Sequence, residues 1–297
     1  MTMNNMKKLT SCVIGILLLT GCTGGKNDPR NAEMDRFIQD LMDKMTLEEK
    51  VGQLNLVSVG FDITGPILSK NVEEKIKAGQ VGGVFNTFTP DAVRKLQEIA
   101  VKETRLGIPL LSGYDVIHGH KTIFPIPLGL SASWDMDLIG RVARASAAEA
   151  AADGVNWIYS PMVDIARDPR WGRVSESNGE DPYLGSCIAR TMVKNFQLDD
   201  LSRENTVMAC LKHFALYGAS EAGRDYNTVD MSRIRMYNEY LPPYKAAVEA
   251  GVGSVMTSFN EIDGVPATAN KWLITDLLRH DWGFKGFVTV SYTHLRA

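Results

Sequence analysis

Val155-Asn156-Trp157-Ile158-Tyr159-Ser160-Pro161-Met162-Val163 runs straight into Asp164-Ile165-Ala166-Arg167-Asp168-Pro169-Arg170-Trp171-Gly172-Arg173, and the junction between the two decides the fold. The first stretch is apolar, rich in β-branched and aromatic residues, and short, so residues 155–163 read as a buried strand. The second is a loop dense in charge, continued by Glu176, Asn178, Glu180 and Asp181. A chemically loaded loop hanging from the C-terminal end of a buried strand is therefore the unit to seek along the rest of the chain.

That unit recurs. Strands are predicted at residues 54–59, 81–85, 109–113, 207–214, 254–259 and 287–290, bounded by turn residues. Between them lie helical stretches. Thr46-Leu47-Glu48-Glu49 is a capping box. Residues 72–78 end at Gly79, Thr89-Pro90 opens a helix through Lys102, and Asp135 caps an Ala-rich helix closing near Gly154. Asp181-Pro182 starts a helix whose Leu184, Ile188, Met192 and Phe196 recur at helical spacing. A helix from Ser232 is interrupted by Pro242-Pro243 and resumes to Ala250, and residues 270–279 form the last.

Seven strands separated by helices imply a parallel sheet with helical crossovers, which both an open doubly wound sheet and a closed barrel satisfy. The polar residues separate the two. Asp115, Asp164, Lys212, His213 and Asn260 all fall at or just past strand C-terminal ends. A (β/α) barrel builds its site from the ends of many strands, whereas an open sheet gathers its ligands at one switch point. The expected fold is an α/β (β/α)8 TIM-like barrel, incomplete at the C-terminus with about seven strands present.

Bulk properties narrow the function. The 297 residues are 44% apolar and 23% charged with a net charge of −3, which gives no electrostatic case for nucleic acid. No glycine-rich phosphate loop is present, so no nucleotide is expected, and no other cofactor. His118 and His120 lack an evident third ligand, so no metal is expected. Lys7 and Lys8 precede a short apolar run and then Leu19-Thr20-Gly21-Cys22, which resembles the lipobox of bacterial lipoproteins. Residues 1–22 are thus expected to be a lipoprotein signal peptide with Cys22 lipidated, residues 23–33 a flexible tether, residues 34–290 the barrel, and residues 291–297 an atypical tail. The implied location is periplasmic or outer-membrane, with the lipid as the sole membrane contact. Cys187 and Cys210 read as buried thiols.

The loop after residue 163 suits a sugar, whose hydroxyls need fixed donors and acceptors and whose C–H faces stack on aromatic rings. For Arg167, Arg170 and Glu180 the plainer reading, a salt-bridged brace, is preferred; Arg173 is read as a ligand contact. Lys212 and His213 are adjacent on a strand, so both reach a ligand only where the backbone bends. Asp115 can accept bonds from neighbouring hydroxyls, or else brace a loop.

Several of these motifs together resemble glycoside hydrolase family 3. They are Met45-Thr46-Leu47-Glu48-Glu49-Lys50-Val51-Gly52-Gln53-Leu54, Arg105-Leu106-Gly107-Ile108-Pro109-Leu110, Asp168-Pro169-Arg170-Trp171-Gly172-Arg173, Gly179-Glu180-Asp181-Pro182, Lys212-His213-Phe214, Val255-Met256 with Ser258-Phe259-Asn260, and Trp282-Gly283-Phe284-Lys285-Gly286-Phe287. The resemblance implies a β-glucosidase-type exo-hydrolase acting on terminal β-D-glucosyl residues. In it Asp115, Arg173, Lys212 and His213 would grip the sugar before the scissile bond, with Met256 and Phe259 close by. Lys212-His213-Phe214-Ala215-Leu216-Tyr217-Gly218 with Gly223-Arg224-Asp225-Tyr226-Asn227 resembles the periplasmic β-glucosidase subgroup and lacks the second histidine of the family's N-acetylglucosaminidases. A β-xylosidase specificity is the next choice.

The C-terminal end departs from the pattern. Retaining glycosidases need two carboxyl groups about 5 to 5.5 Å apart. The family's nucleophile is an Asp just after the seventh strand, but no Asp or Glu follows Gly286. The acid/base Glu and the eighth strand–helix unit, which the family carries further along, are also lacking. No catalytic residue is assigned, and the chain as written is expected to be inactive in hydrolysis. A lipid-anchored sugar-binding protein without catalysis is the competing reading.

Overall fold

The computed structural model describes residues 29–59 and 70–290. Cys22, the leader and the tail at 291–297 lie outside the described residues. Two compact units divide between Lys50 and Val51.

The first unit holds helix α1 (Pro29–Lys44). The helix begins inside the stretch predicted as tether. Thr46 and Glu49 close the predicted capping box: the Glu49 N–H donates to Thr46 Oγ1 at 3.2 Å and the Thr46 N–H to Glu49 Oε2 at 2.9 Å. Helix α2 (Leu47–Gln53) follows them.

The second unit alternates strand and helix: β1 (Leu56–Ser58), α3 (Val72–Lys77), β2 (Gly83–Phe85), α4 (Pro90–Lys102), β3 (Leu111–Tyr114), α5 (Pro127–Ser131), α6 (Met136–Ala152), β4 (Trp157–Ile158), α7 (Pro182–Gln197), β5 (Met208–Phe214), α8 (Pro242–Glu249), β6 (Ser254–Thr257), the hairpin β7 (Glu261–Ile262) and β8 (Val265–Pro266), and β9 (Phe287–Thr289). The main sheet has seven strands in the order β1-β2-β3-β4-β5-β6-β9, and every neighbouring pair is parallel. Helix starts follow the sequence signals. Asp135 accepts from Leu138 N at 2.9 Å and Asp181 from Leu184 N at 2.7 Å, each satisfying an otherwise orphaned first-turn donor. Thr89 makes no side-chain cap bond; Pro90 at the first helical position starts α4 instead.

Alternate residues of each strand go to opposite faces, and the two faces hold different clusters. Val57, Val84, Leu110, Ile158, Ala209, Leu211 and Val255 pack outward with the helices. Leu56, Phe85, Leu111, Trp157, Tyr159, Met208, Cys210 and Met256 meet on the other face. Trp157 of β4 and Phe287 of β9 stand three places apart in the sheet, yet their rings approach to 5.2 Å. Such contacts require the sheet to curl on itself, as an incomplete TIM-like barrel does.

Three features differ from the sequence reading. β4 is regular only at Trp157–Ile158, because Pro161 brings no N–H to the ladder, although its neighbours still bond to β5. The β7–β8 hairpin was not anticipated; its Asp263-Gly264 turn, both at positive φ, was the available signal. Cys187 is half-buried rather than buried. The predicted break at Pro242-Pro243 is present as a widened turn, Met236–Tyr240, leading into α8.

Gly218, just past β5, lies against the backbone of the post-β4 loop, where a Cβ would stand 2.2 Å from the Ile165 carbonyl oxygen. Backbone cannot yield as a side-chain tip can. Gly218→Ala is expected to destabilise the protein by about 1–3 kcal/mol in urea unfolding; an unchanged midpoint would contradict this packing.

Candidate functional site

The inward face of the sheet opens at its C-terminal end into a cavity of about 560 Å³, mouth included. Asp115, Arg173, Lys212, His213 and Met256, five of the six predicted binding residues, line it. Phe259 does not. Its ring stands close by, 6.1 Å from that of His213 and 5.5 Å from that of Tyr217 between centres.

Adjacent Lys212 and His213 reach the same cavity because the β5–β6 register shifts between Leu211 and Phe214, placing one extra residue on β5. The Lys212–His213 and Phe214–Ala215 peptide bonds are cis. Lys212 is 4% exposed, and its Nζ donates to Asp115 Oδ1 at 2.7 Å at the cavity mouth. The pair gives the cavity a cation and a carboxylate side by side.

Arg173 binds Glu176 through two bonds, Nε at 2.5 Å and Nη2 at 2.7 Å. Burial alone would pull the guanidinium down; the Glu176 bonds outweigh it and hold Arg173 above its ordinary value. Its guanidinium also lies 5.5 Å from the Tyr217 ring centre. Beneath the wall, the buried Asp164 carboxylate accepts from the His213 backbone N–H at 3.1 Å and from the His213 ring Nδ1 at 2.8 Å. Tyr244 of α8 donates its phenol proton to the same carboxylate. Burial lowers the His213 pKa despite Asp164, so the ring is neutral at physiological pH.

Sequence reasoning missed Leu56, Phe85, Asn86, Tyr159 and Val290, which complete the lining. Asn86 directly follows β2, so the strand-end rule that found Asp115 applied to it too. Tyr159 lies two residues past Trp157, on the same inward phase. Tyr244 carried no signal, since only the packing of α8 brings it beneath Asp164. Asn260, also a strand-end polar residue, turns away: its Nδ2 donates to the Ala215 carbonyl at 3.3 Å and the Glu261 carbonyl at 3.2 Å.

The braces lie apart from the lining. Arg167 pairs with Glu239 and sits 3.9 Å from Glu180, and Arg170 with Asp168. His120 bonds Asp153 at 2.8 Å and His118 the Phe124 carbonyl at 2.9 Å. Among the described residues no group of three potential metal ligands occurs.

The match to known proteins follows this geometry. Residues 46–296 fit the model of the glycosyl hydrolase family 3 N terminal domain. The chain belongs to glycosyl hydrolase family 3. It is 51% identical over 266 residues to the periplasmic beta-glucosidase of Salmonella typhimurium, covering 89% of this chain and 34% of that protein. A beta-xylosidase of Formosa agariphila is 38% identical over 73% of this chain and 32% of its own length. The beta-glucosidase of Listeria innocua crystallised with isofagomine superposes with a TM-score of 0.80 at 45% identity, over 86% of this chain and 36% of that one. The chain thus spans about a third of the length of these family 3 relatives.

The brace Arg170–Asp168 gives a direct pH test. Hydrogen bonds from the Arg170 side chain and backbone hold the half-buried Asp168 carboxyl at about 2, below its ordinary 3.8. Stability from the pair is present above the ordinary value and is lost as pH falls towards 2. In Arg170→Ala the carboxyl is expected to titrate upward, towards 3.8, in ¹³C NMR, while ligand affinity stays unchanged. Titration still near 2 in that variant contradicts the pairing.

Proposed function

We propose that this chain forms the sugar-gripping barrel of a retaining exo-β-glucosidase, which releases terminal non-reducing β-D-glucosyl residues from β-glucosides and oligosaccharides. One observation carries the reading: Asp115 after β3, Arg173 in the loop after β4, and Lys212 and His213 at the end of β5 share one cavity. The relatives named beta-glucosidase support it.

Each residue has a task that its chemistry allows. Asp115 accepts from hydroxyls, Lys212 and Arg173 donate, and neutral His213 supplies an acceptor. Met256 and Tyr159 give the apolar side against which a C–H face rests. Hydrolysis with retention needs two carboxyls about 5 to 5.5 Å apart, a nucleophile and an acid/base. Among the described lining residues Asp115 is the sole carboxylate, and its bond to Lys212 makes it a grip rather than a nucleophile. The described lining thus offers a sugar grip without a carboxyl pair, and turnover by the chain by itself is not expected.

A β-xylosidase specificity is the second reading, favoured by the 38% identity to the Formosa agariphila enzyme. Glucose differs from xylose by one hydroxymethyl group, so paired titrations separate the two. By calorimetry the chain is expected to bind glucose more tightly than xylose, and Lys212→Met or Asp115→Asn to weaken glucose binding about tenfold or more, about 1.4 kcal/mol. Unaffected binding in both variants would sink the assignment; turnover of p-nitrophenyl β-glucoside that disappears on mutating Lys212 and His213 would overturn only the expected inactivity of the chain by itself.

We also assign the protein to the periplasm or outer membrane, lipid-anchored at Cys22. The Leu19-Thr20-Gly21-Cys22 motif and the periplasmic relative support this. Radiolabelled palmitate is expected to enter the wild-type protein in a bacterial host and not Cys22→Ser; equal labelling of both refutes the anchor.

A further inference from the structure

His213 has two ring nitrogens, and which one carries the proton decides what the cavity offers a ligand. The answer lies in what surrounds Asp164. This carboxyl is 1% exposed, and its Oδ2 accepts the backbone N–H of His213 at 3.1 Å. A backbone N–H is a donor only, so Oδ2 acts as an acceptor. The same Oδ2 lies 2.8 Å from His213 Nδ1, and the hydrogen of that bond therefore sits on Nδ1. The Tyr244 phenol covers the other oxygen, and its oxygen also lies 2.9 Å from the His213 carbonyl. The carboxylate thus cannot rotate away without losing a bond on each side.

We propose that Tyr244 and Asp164 are positioning residues that fix the His213 imidazole with its proton on Nδ1, leaving Nε2 as a hydrogen-bond acceptor for a sugar hydroxyl. The proposal rests on the reading of the cavity as a sugar site. Three elements meet in it: the loop after β4, the end of β5, and α8. Tyr244 is 1% exposed, and its ring packs edge-on against Phe214 at 5.5 Å between centres, so the hydroxyl is held by a rigid lever.

The charges facing His213 agree with a neutral ring. Burial disfavours imidazolium, and the nearby cations Lys212 and Arg173 add to that effect; only Asp164 opposes it. The remaining neighbours are the rings of Tyr217 at 5.2 Å and Phe259 at 6.1 Å. The chemistry of the cavity needs such an acceptor. Lys and Arg are donors without acceptor capacity, and a sugar hydroxyl that accepts from them still has its own hydrogen to place. Asp115 already accepts from Lys212. A neutral Nε2 gives that hydrogen a fixed second destination.

The test is long-range ¹H–¹⁵N NMR of the full chain labelled with ¹⁵N-histidine. His213 is expected to show the neutral Nδ1–H pattern at physiological pH. An Nε2–H pattern or an imidazolium overturns the proposal. Tyr244→Phe keeps the ring and removes the hydroxyl. It is expected to give mixed His213 tautomers and about fivefold weaker glucose binding, about 1 kcal/mol. A purely packing role would lower the unfolding midpoint but leave ring shifts and affinity as in the wild type, and that result also overturns it. Asp164→Asn can set its amide oxygen where Oδ2 stands, still accepting from the His213 backbone N–H and ring, and is expected to keep the proton on Nδ1. Should wild-type protein show the Nδ1–H pattern yet ignore glucose, the sugar reading fails while the fixed tautomer stands.

Discussion

A parallel strand covered on both faces must send every second side chain into each of two different environments, and this alternation governs the structure. On β5, Ala209 and Leu211 face the helices while Met208 and Cys210 face the interior. Because each strand of the main sheet obeys the same rule, the inward residues of six strands form one cluster, and the sheet curls to bring them together. The cavity is what remains at the C-terminal end of that cluster, where polar residues replace apolar ones.

The site depends on a local break in the rule. Strict alternation would send Lys212 inward and His213 out among the helices. The extra residue on β5 turns both inward, and the buried Asp164 fills the position behind His213. Burying a carboxylate there is tolerable because it is met by a backbone N–H, an imidazole and a phenol. The electrostatics are correspondingly graded. Charged pairs sit at the mouth, as in Lys212–Asp115, and a neutral imidazole sits deeper.

Much of this was legible in the chain itself. The strand positions followed from apolar runs, the helix starts from Asp135 and Asp181, and the cavity residues Asp115, Lys212 and His213 from their places at strand ends, with Arg173 read from its loop and Met256 from the family resemblance. Of the three arginines in the loop after β4, Arg173 lines the cavity, whereas Arg167 and Arg170 pair with Glu239 and Asp168 away from it. The unread parts share a cause. The β7–β8 hairpin and the truncated β4 depend on hydrogen-bond geometry that hydrophobic periodicity does not carry. The helix from Pro29 begins within a segment whose polar composition suggested a tether.

By itself the sequence determined the order of strands and helices, the parallel sheet and the polar residues at its rim. These are local properties, written in side-chain periodicity and in caps that act within a turn. Only the tertiary structure decided that Lys212 and His213 face the same way, that Phe259 is left out of the cavity lining, and that Tyr244 reaches Asp164 across 80 residues of chain. Those outcomes depend on how a helix seats against a curled sheet, a long-range packing geometry for which no neighbouring residue carries a signal.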